Sequence, residues 1–274
     1  MKLLTGSTRL AGIAGWPVTH SRSPRLHNTW LNRYGIDGAY VPLPIRPEDF
    51  IATIPALAKA GFAGMNVTIP HKEAAFMVCD QVEDSARRAG AVNTLVFTPQ
   101  GILGRNTDGY GFLANLHCHG VNPAAGPVLI LGAGGAARGI AAALQATGVE
   151  ITFTNRTPER AAALASILPP AKTLPWDRRE DALADYALLI NTTSLGMTHQ
   201  PPLDLRLDRA APAMVVADII YTPLETALLA AARARGLKAV EGLGMLLHQA
   251  VPGFAAWFGV TPEIDDELYR VVVA

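Results

Sequence analysis

The sequence predicts an α/β protein of two units, and three observations predict it. Short apolar runs alternate with helix-spaced amphipathic segments along the 274 residues, the order that builds parallel sheets covered by helices. At residues 128–140 (VLILGAGGAARGI) an apolar run enters a glycine turn and continues as an alanine-rich helical stretch. That strand, turn and helix start are the context of a dinucleotide-binding fingerprint. The fingerprint also comes late, because residues 1–127 precede it with strand and helix signals of their own. A second unit therefore stands upstream, and the cleft between units is the expected place for a substrate.

In the upstream unit, residues 10–16 read as the first strand. Ser23-Pro24 opens a helix, as cap and first-turn proline. Its buried face is Leu26, Trp30, Leu31 and Tyr34, and Gly35 ends it. Residues 39–45 form the next strand and 47–60 the next helix. A third strand covers 64–69, and Pro70 starts a helix to about Cys79. A further helix is expected over 81–89, then a hairpin of 94–99 with 101–106. From Gly109 a helix crosses to the second unit. Its strands are 128–131, 150–154, 188–191, 214–220 and 238–241, with a weaker one near Thr173. Helices are expected at 135–147, 158–167, 181–186 and 224–235. The tail is helical over 244–258 and 262–272, and Pro252 should kink or break the first of these.

Composition bounds the function. Hydrophobic residues make up 50% and charged ones 17%, ample for a core and without sign of disorder. Lys+Arg and Asp+Glu balance at 23 each, which argues against a general binder of nucleic acid or membrane surfaces. Cys79 and Cys118 are the only cysteines, as suits a reducing compartment. His117-Cys118-His119 has no companion at ligand spacing, so no metal is expected. With no leader-like N-terminus and no run of transmembrane length, a soluble cytoplasmic protein is the expectation.

The fingerprint assigns parts to its residues. Gly132 allows the tight turn, Gly134 lets the backbone approach a pyrophosphate, and Ala137 keeps the helix close to its strand. The phosphates then lie on free N–H groups at the positive end of the helix dipole. An NAD site carries a carboxylate about 20 residues further on, at the end of the second strand. Here that strand ends at Asn155-Arg156-Thr157, with Arg160 one turn later. Arginines bind a 2′-phosphate that a carboxylate would repel. At about 1.5–3 kcal/mol per charge-assisted bond, two would favour NADP by two or three orders of magnitude.

Polar clusters sit at the other strand ends, where an open α/β sheet binds ligands. His20-Ser21-Arg22-Ser23-Pro24 offers two hydroxyls and a helix start for a carboxylate, although Ser23 alone reads first as a helix cap. Residues 66–72 (NVTIPHK) place Thr68 beside a proline-initiated helix with Lys72 in its first turn. A cation there opposes the dipole by about 0.3–1 kcal/mol, so Lys72 is either a surface residue or a functional one. Asn93 and Asp108 stand beside glycines at strand ends, where turn-forming is the competing role. Residues 191–197 (NTTSLGM), 218–221 (DIIY) and 242–249 end the later strands.

Taken in order, HSRSPRLHN, NVTIPHK, GAVNT, GRNTDGYG, GAGGAARG, NRT, NTTSLGM, DIIYTPLET and GLGMLLHQA resemble the shikimate dehydrogenase family over residues 20–250, nearly the whole chain. The resemblance implies an N-terminal substrate domain with a mostly parallel sheet, a Rossmann-type NADP-binding domain, and C-terminal helices returning to the first. Residues 1–108 with 243–274 would form the former and 109–242 the latter. It implies NADPH-dependent reduction of 3-dehydroshikimate to shikimate, with Lys72 as catalytic residue and Asp108 as its partner. Ser21 and Ser23 would bind the substrate carboxylate, with Tyr221 near it. Thr68, Lys72, Asn93, Asp108 and Gln249 would hold the ring hydroxyls. Gly132, Ala133, Gly134, Gly135, Ala136, Asn155, Arg156, Thr157 and Arg160 would bind NADP, and Ile219 and Gly242 would meet its nicotinamide end. Asp84 would lie near the cofactor. The partner is a small-molecule substrate, in a monomer or homodimer. The competing reading is a quinate/shikimate dehydrogenase with relaxed cofactor or substrate choice. A catalytically silent sensor would be expected to lose Lys72 or Asp108, and a methylene-tetrahydrofolate dehydrogenase would lack DIIYTP and the GLGML–Gln249 element.

Overall fold

The structure, a computed structural model, describes residues 3–274. It divides into two compact units, Met1–Thr107 with Leu247–Ala274, and Asp108–Leu246.

The first unit carries β1 (Arg9–Gly15), α1 (Ser23–Arg33), β2 (Gly38–Pro44), α2 (Phe50–Lys59), β3 (Gly64–Val67), α3 (Lys72–Met77), β4 (Gln81–Val82), α4 (Asp84–Ala89), β5 (Thr94–Thr98) and β6 (Gly101–Arg105). The sheet order is β2-β1-β3-β5-β6-β4. β1, β2 and β3 run parallel, β5 runs against both β3 and β6, and β4 runs with β6. That inversion matters for function. It brings the start of β5 and the end of β6 to the edge where β1 and β3 end, with Asn66 opposite Thr94 and Thr94 opposite Arg105. One face packs Phe50, Ile54, Met65, Val67, Ala86 and Leu95 into a core.

Three expectations fail here for local reasons. Residues 81–89 are not one helix, because Gln81–Val82 pair with the open side of β6 and only Asp84–Ala89 coil. Residues 47–60 divide into a 3-10 turn at Pro47–Asp49 and a helix that tolerates Pro55. Ser23 is not the cap of α1: Arg22 holds that position and no side chain caps the end, while the Ser21 hydroxyl accepts the Ser23 N–H at 3.3 Å.

The second unit begins with α5 (Asp108–Cys118), then β7 (Val128–Leu131), α6 (Gly135–Gln145), β8 (Ile151–Thr154), α7 (Pro158–Ile167), β9 (Lys172–Thr173), β10 (Leu188–Asn191), β11 (Val215–Asp218), α8 (Ala227–Ala234) and β12 (Lys238–Val240). Every pairing is parallel, in the order β12-β11-β10-β7-β8-β9. Counted from β7, that is the 3-2-1-4-5-6 order of a doubly wound dinucleotide-binding sheet. β7, β8 and β10 are buried along their whole length, which is why they read as unbroken apolar runs rather than alternating ones. Helices α5 and α6 touch through glycines, since a Cβ on Gly109 would come within 2.5 Å of the Gly139 carbonyl oxygen and of Ala143. The helix expected over 181–186 is only a 3-10 turn at Leu183–Asp185, after another at Trp176–Arg178.

The chain closes with α9 (Leu243–Phe258) and α10 (Asp266–Val273). Pro252 does not break α9, which stays helical on both sides of it. Proline removes one helical hydrogen bond, and here Ala250, Phe254 and Trp257, all fully buried, hold the helix in place instead. Within the first unit Phe254 and Trp257 join His27, Trp30 and Tyr40 in one aromatic cluster. Among the described residues no helix is long and apolar enough to cross a membrane.

Candidate active site

In the first unit the expected substrate residues gather at one sheet edge because of the strand directions. Thr68 follows β3 directly, its N–H donating to the Ala14 carbonyl at 2.9 Å. Gly15 makes room for it, since a Cβ there would lie 2.5 Å from the Thr68 methyl carbon. Lys72, half-buried, is the first residue of α3. Its carbonyl accepts the Val92 N–H at 2.8 Å, tying the lysine's backbone to the segment that carries Asn93. His71 anchors the start of α3 from below. Its ring donates to the Ile45 carbonyl at 2.8 Å and stacks on Phe50 at 4.4 Å. Burial pushes the His71 pKa down, the Ile45 bond opposing it.

Asn93 is not a turn former. It is buried, and its side-chain oxygen accepts the Thr107 backbone N–H at 2.8 Å. Its amino group donates to Thr107 Oγ1 at 3.0 Å and to Gln249 Oε1 at 3.3 Å. The structure thus brings Asn93 and Gln249 into contact. Ser21 is partly buried and Ser23 buried, two residues apart at the entry to α1. Asp84 lies in this unit too, exposed in the first turn of α4 and 3.8 Å from Arg87.

In the second unit a fully parallel sheet puts all its strand ends on one edge, and the expected cofactor residues follow those ends. Gly132 follows β7 at φ +107°, which an L side chain rarely adopts. A Cβ there would also lie 2.7 Å from Thr192 Oγ1. Gly134 caps α6, and a Cβ on it would meet no protein atom within 4 Å. The first turn of α6 therefore offers its N–H groups across open space, as a pyrophosphate requires. Ala133 is buried, and Gly135 and Ala136 begin the helix half-exposed.

Asn155 follows β8 and donates to the Thr157 carbonyl at 2.9 Å; Thr157 caps α7. Arg156, Thr157 and Arg160 are exposed. Among the described residues neither Arg156 nor Arg160 forms an ion pair, whereas Arg105, Arg206 and Arg233 each hold a carboxylate. Two exposed cations without a protein counter-ion beside the fingerprint edge suit a phosphate dianion. At the far end of this edge Gly242 packs directly on the Ile219 carbonyl, with no space for a side chain. Tyr221 follows two residues on, half-buried. Asp108, buried, begins α5. A groove of about 440 Å³ opens at the opposite edge, lined by Pro127, Leu188, Val215 and Lys238 where strands begin. It shares none of these residues.

Asn191 and Asp218, which end β10 and β11, do structural work on this edge. Asp218 accepts from Asn191 Nδ2 at 3.0 Å, the Ile220 N–H at 3.1 Å and Thr226 Oγ1 at 2.8 Å. It clamps both ends of the loop that carries Ile219 and Tyr221. Burial pushes its pKa from 3.8 up to about 6, with those three hydrogen bonds opposing. Because the folded state holds this proton more tightly, the favourable contribution is complete below pH 3.8 and is lost as pH rises through about 6. Asp218→Asn should abolish that dependence. Its unfolding free energy should gain on the wild type by about 2 kcal/mol between about pH 4 and pH 6. Urea titrations of both proteins across that range measure it, and a difference that stays flat contradicts the assignment.

Sequence reasoning passed over Tyr40, Thr94 and Thr107 and gave Asn66 no role. All four are buried polar residues bonded into the Asn93–Gln249 cluster. For Asn66, Thr94 and Thr107 the signal was a polar side chain beside a strand end; Tyr40, inside β2, carried none.

Comparison with known proteins adds the following. Residues 13–95 match the family model described as the shikimate dehydrogenase substrate binding domain, and residues 119–200 match that of shikimate / quinate 5-dehydrogenase. The chain is 72% identical over 272 residues to the shikimate dehydrogenase (NADP(+)) of Acidiphilium cryptum, covering 99% of this chain and 98% of that one. Among solved structures it is similar to shikimate 5-dehydrogenase from Thermus thermophilus in complex with NADP(H) and shikimate. That match has TM-score 0.88 and 35% identity, covering 97% of this chain and 98% of that one. It is also similar to quinate dehydrogenase from Corynebacterium glutamicum in complex with NAD, with TM-score 0.87 and 29% identity over 97% of each chain.

Proposed function

The chain belongs to the shikimate dehydrogenase family, and from that premise we propose that it reduces 3-dehydroshikimate to shikimate with NADPH, reversibly, in the pathway to aromatic amino acids. The observation that carries the reading is the full-length 72% identity to a NADP(+) shikimate dehydrogenase. Lys72 at the start of α3 and the exposed Arg156 and Arg160 after β8 are the residues that reaction needs.

NADPH, when bound, supplies the hydride. The chain supplies everything else. The amide groups at the start of α6 hold the pyrophosphate, with Gly132, Ala133, Gly134, Gly135 and Ala136 shaping the turn. Asn155, Arg156, Thr157 and Arg160 hold the adenosine end and its 2′-phosphate. Ile219 and Gly242 offer only backbone at the nicotinamide end. In the substrate domain, Ser21 and Ser23 take the substrate carboxylate, with Tyr221. Thr68, Asn93, Asp108 and Gln249 hold ring oxygens. Reduction of a ketone leaves an alkoxide that must be protonated, and Lys72 delivers that proton with Asp108 as partner. In the oxidative direction Lys72 takes it back. The N-terminal segment with the C-terminal helices is the substrate domain and the middle of the chain the NADP domain, and Asp84 lies toward the cofactor. The protein works in the cytoplasm as a monomer or homodimer.

The likeness to a quinate dehydrogenase favours one second reading, a quinate/shikimate dehydrogenase of relaxed choice. The arginine pair and the two serines weigh toward NADP and shikimate. Purified protein given 3-dehydroshikimate and NADPH should form shikimate, identified by mass, one molecule for each NADPH consumed. Consumption of NADPH without shikimate would refute the reading.

A further inference from the structure

Behind the proposed substrate residues runs a chain of buried polar side chains whose hydrogen-bond direction is fixed at two points by the backbone. The first point is Thr107. Its backbone N–H can only donate, so the atom it meets at 2.8 Å must be the oxygen of Asn93. The Asn93 amino group therefore faces Thr107 Oγ1 and Gln249 Oε1. The second point is the Asn93 backbone carbonyl, which can only accept. The Asn66 atom 3.3 Å from it must be the amino nitrogen.

Everything between these anchors follows. Asn66 also donates to Thr94 Oγ1 at 3.1 Å, so the Thr94 hydroxyl hydrogen is left to donate to Asn93 Oδ1 at 3.0 Å. The Asn66 oxygen accepts from the Tyr40 hydroxyl at 2.6 Å. Thr107 Oγ1, having accepted from Asn93, donates to the Gln249 backbone carbonyl at 2.8 Å. Donation thus runs one way, from Tyr40 through Asn66, Thr94 and Asn93 to Gln249. Gln249 faces the chain with its oxygen, and its amino group is the end turned away.

The start of this chain is itself held rigidly. Asn28 brackets the backbone of Tyr40, accepting its N–H at 3.1 Å and donating to its carbonyl at 2.8 Å. The His27 ring stacks on the Tyr40 ring at 4.0 Å with 9° between planes. Tyr40, Asn66, Asn93, Thr94, Thr107 and Gln249 are all buried. In such surroundings a reversed amide would set oxygen against oxygen, which costs more than the lost bond alone.

We propose that Tyr40 and Asn66 are positioning residues for the reaction: through Thr94 and Asn93 they hold Gln249 with its side-chain oxygen on Asn93 and its amino group directed to a substrate ring oxygen. This rests on the reading of Asn93 and Gln249 as substrate residues. It also explains why an asparagine, a threonine and a tyrosine stand at buried positions where apolar side chains would fill the same space.

Tyr40→Phe keeps the ring and its stack but removes the hydroxyl that fixes the Asn66 oxygen. Thr94→Val keeps the shape but removes the donor to Asn93. In each, the KM for shikimate should rise about five- to tenfold, as expected for one hydrogen bond. The KM for NADP+ should stay within about twofold of wild type, because no contact to the fingerprint edge is altered. Asn66→Asp, which places an oxygen where both acceptors need a donor, should raise the shikimate KM further. A merely structural role would lower kcat with the folded fraction and leave both KM values in place. That result, or an unchanged shikimate KM in both Tyr40→Phe and Thr94→Val, overturns the proposal while leaving the activity standing. A wild-type protein that does not oxidise shikimate overturns the functional reading itself, and this one with it.

Discussion

Lys72→Ala should lower turnover about 10²–10⁴-fold, the usual worth of one positioned acid–base group, while NADPH binding stays near its wild-type strength. Helix stability alone does not favour a lysine at this position. It stands at the first position of α3, where a cation opposes the helix dipole and contributes nothing to helix stability. His71 fixes that helix start by stacking and by its bond to the Ile45 carbonyl, and Val92 grips the Lys72 carbonyl. The backbone around the ammonium is thus held from both sides. The loss should fall mainly on kcat, since a proton delivered to a developing alkoxide is an interaction made in the transition state. Steady-state kinetics in both directions, with NADPH affinity measured separately by fluorescence titration, check it. Turnover within a few-fold of wild type would remove Lys72 from the chemistry.

The second large effect concerns cofactor choice. Arg156→Ala with Arg160→Ala should weaken NADPH about 10²-fold and NADH hardly at all. Two charge-assisted bonds at the lower end of about 1.5–3 kcal/mol each give that figure. The lower end applies because both guanidinium groups are exposed and screened by salt. Alanine at Gly134 would act differently, since a side chain beside the pyrophosphate should weaken both cofactors. Equal losses for NADPH and NADH in the arginine variant would mean that these residues do not read the 2′-phosphate.

Much of this architecture was legible in the residues, and the pattern of success is physical. β7, β10 and α7 stand at the bounds expected, because fully buried parallel strands and a proline-started helix carry their own punctuation. The misreadings fell where tertiary pairing overrides local propensity. Gln81–Val82 joined β6 because that edge had unpaired backbone groups to offer. Pro252 left α9 intact because buried Phe254 and Trp257 hold the helix regardless of one missing bond. Ser23 looked like a helix cap, and yet Arg22 occupies that place.

The site divides in the same way. The turn at Gly132 and Gly134 was readable because a buried strand running through glycines into a helix start obeys a local rule. The contacts of Asn93 were not, since a turn-forming role stood first until the antiparallel hairpin of β5 and β6 placed it against Thr107 and Gln249. Tyr40 and Asn66 lie on different strands, and nothing in their sequence spacing says that they meet.

The central claim is that this chain couples shikimate to NADP in particular. The measurement that tests it most directly is a two-by-two comparison of kcat/KM, with shikimate or quinate as substrate and NADP+ or NAD+ as oxidant. Shikimate with NADP+ should exceed each single replacement by at least about tenfold, a difference of about 1.4 kcal/mol in transition-state binding. Equal or greater efficiency with quinate, or with NAD+, would contradict the account and establish the enzyme of relaxed choice in its place.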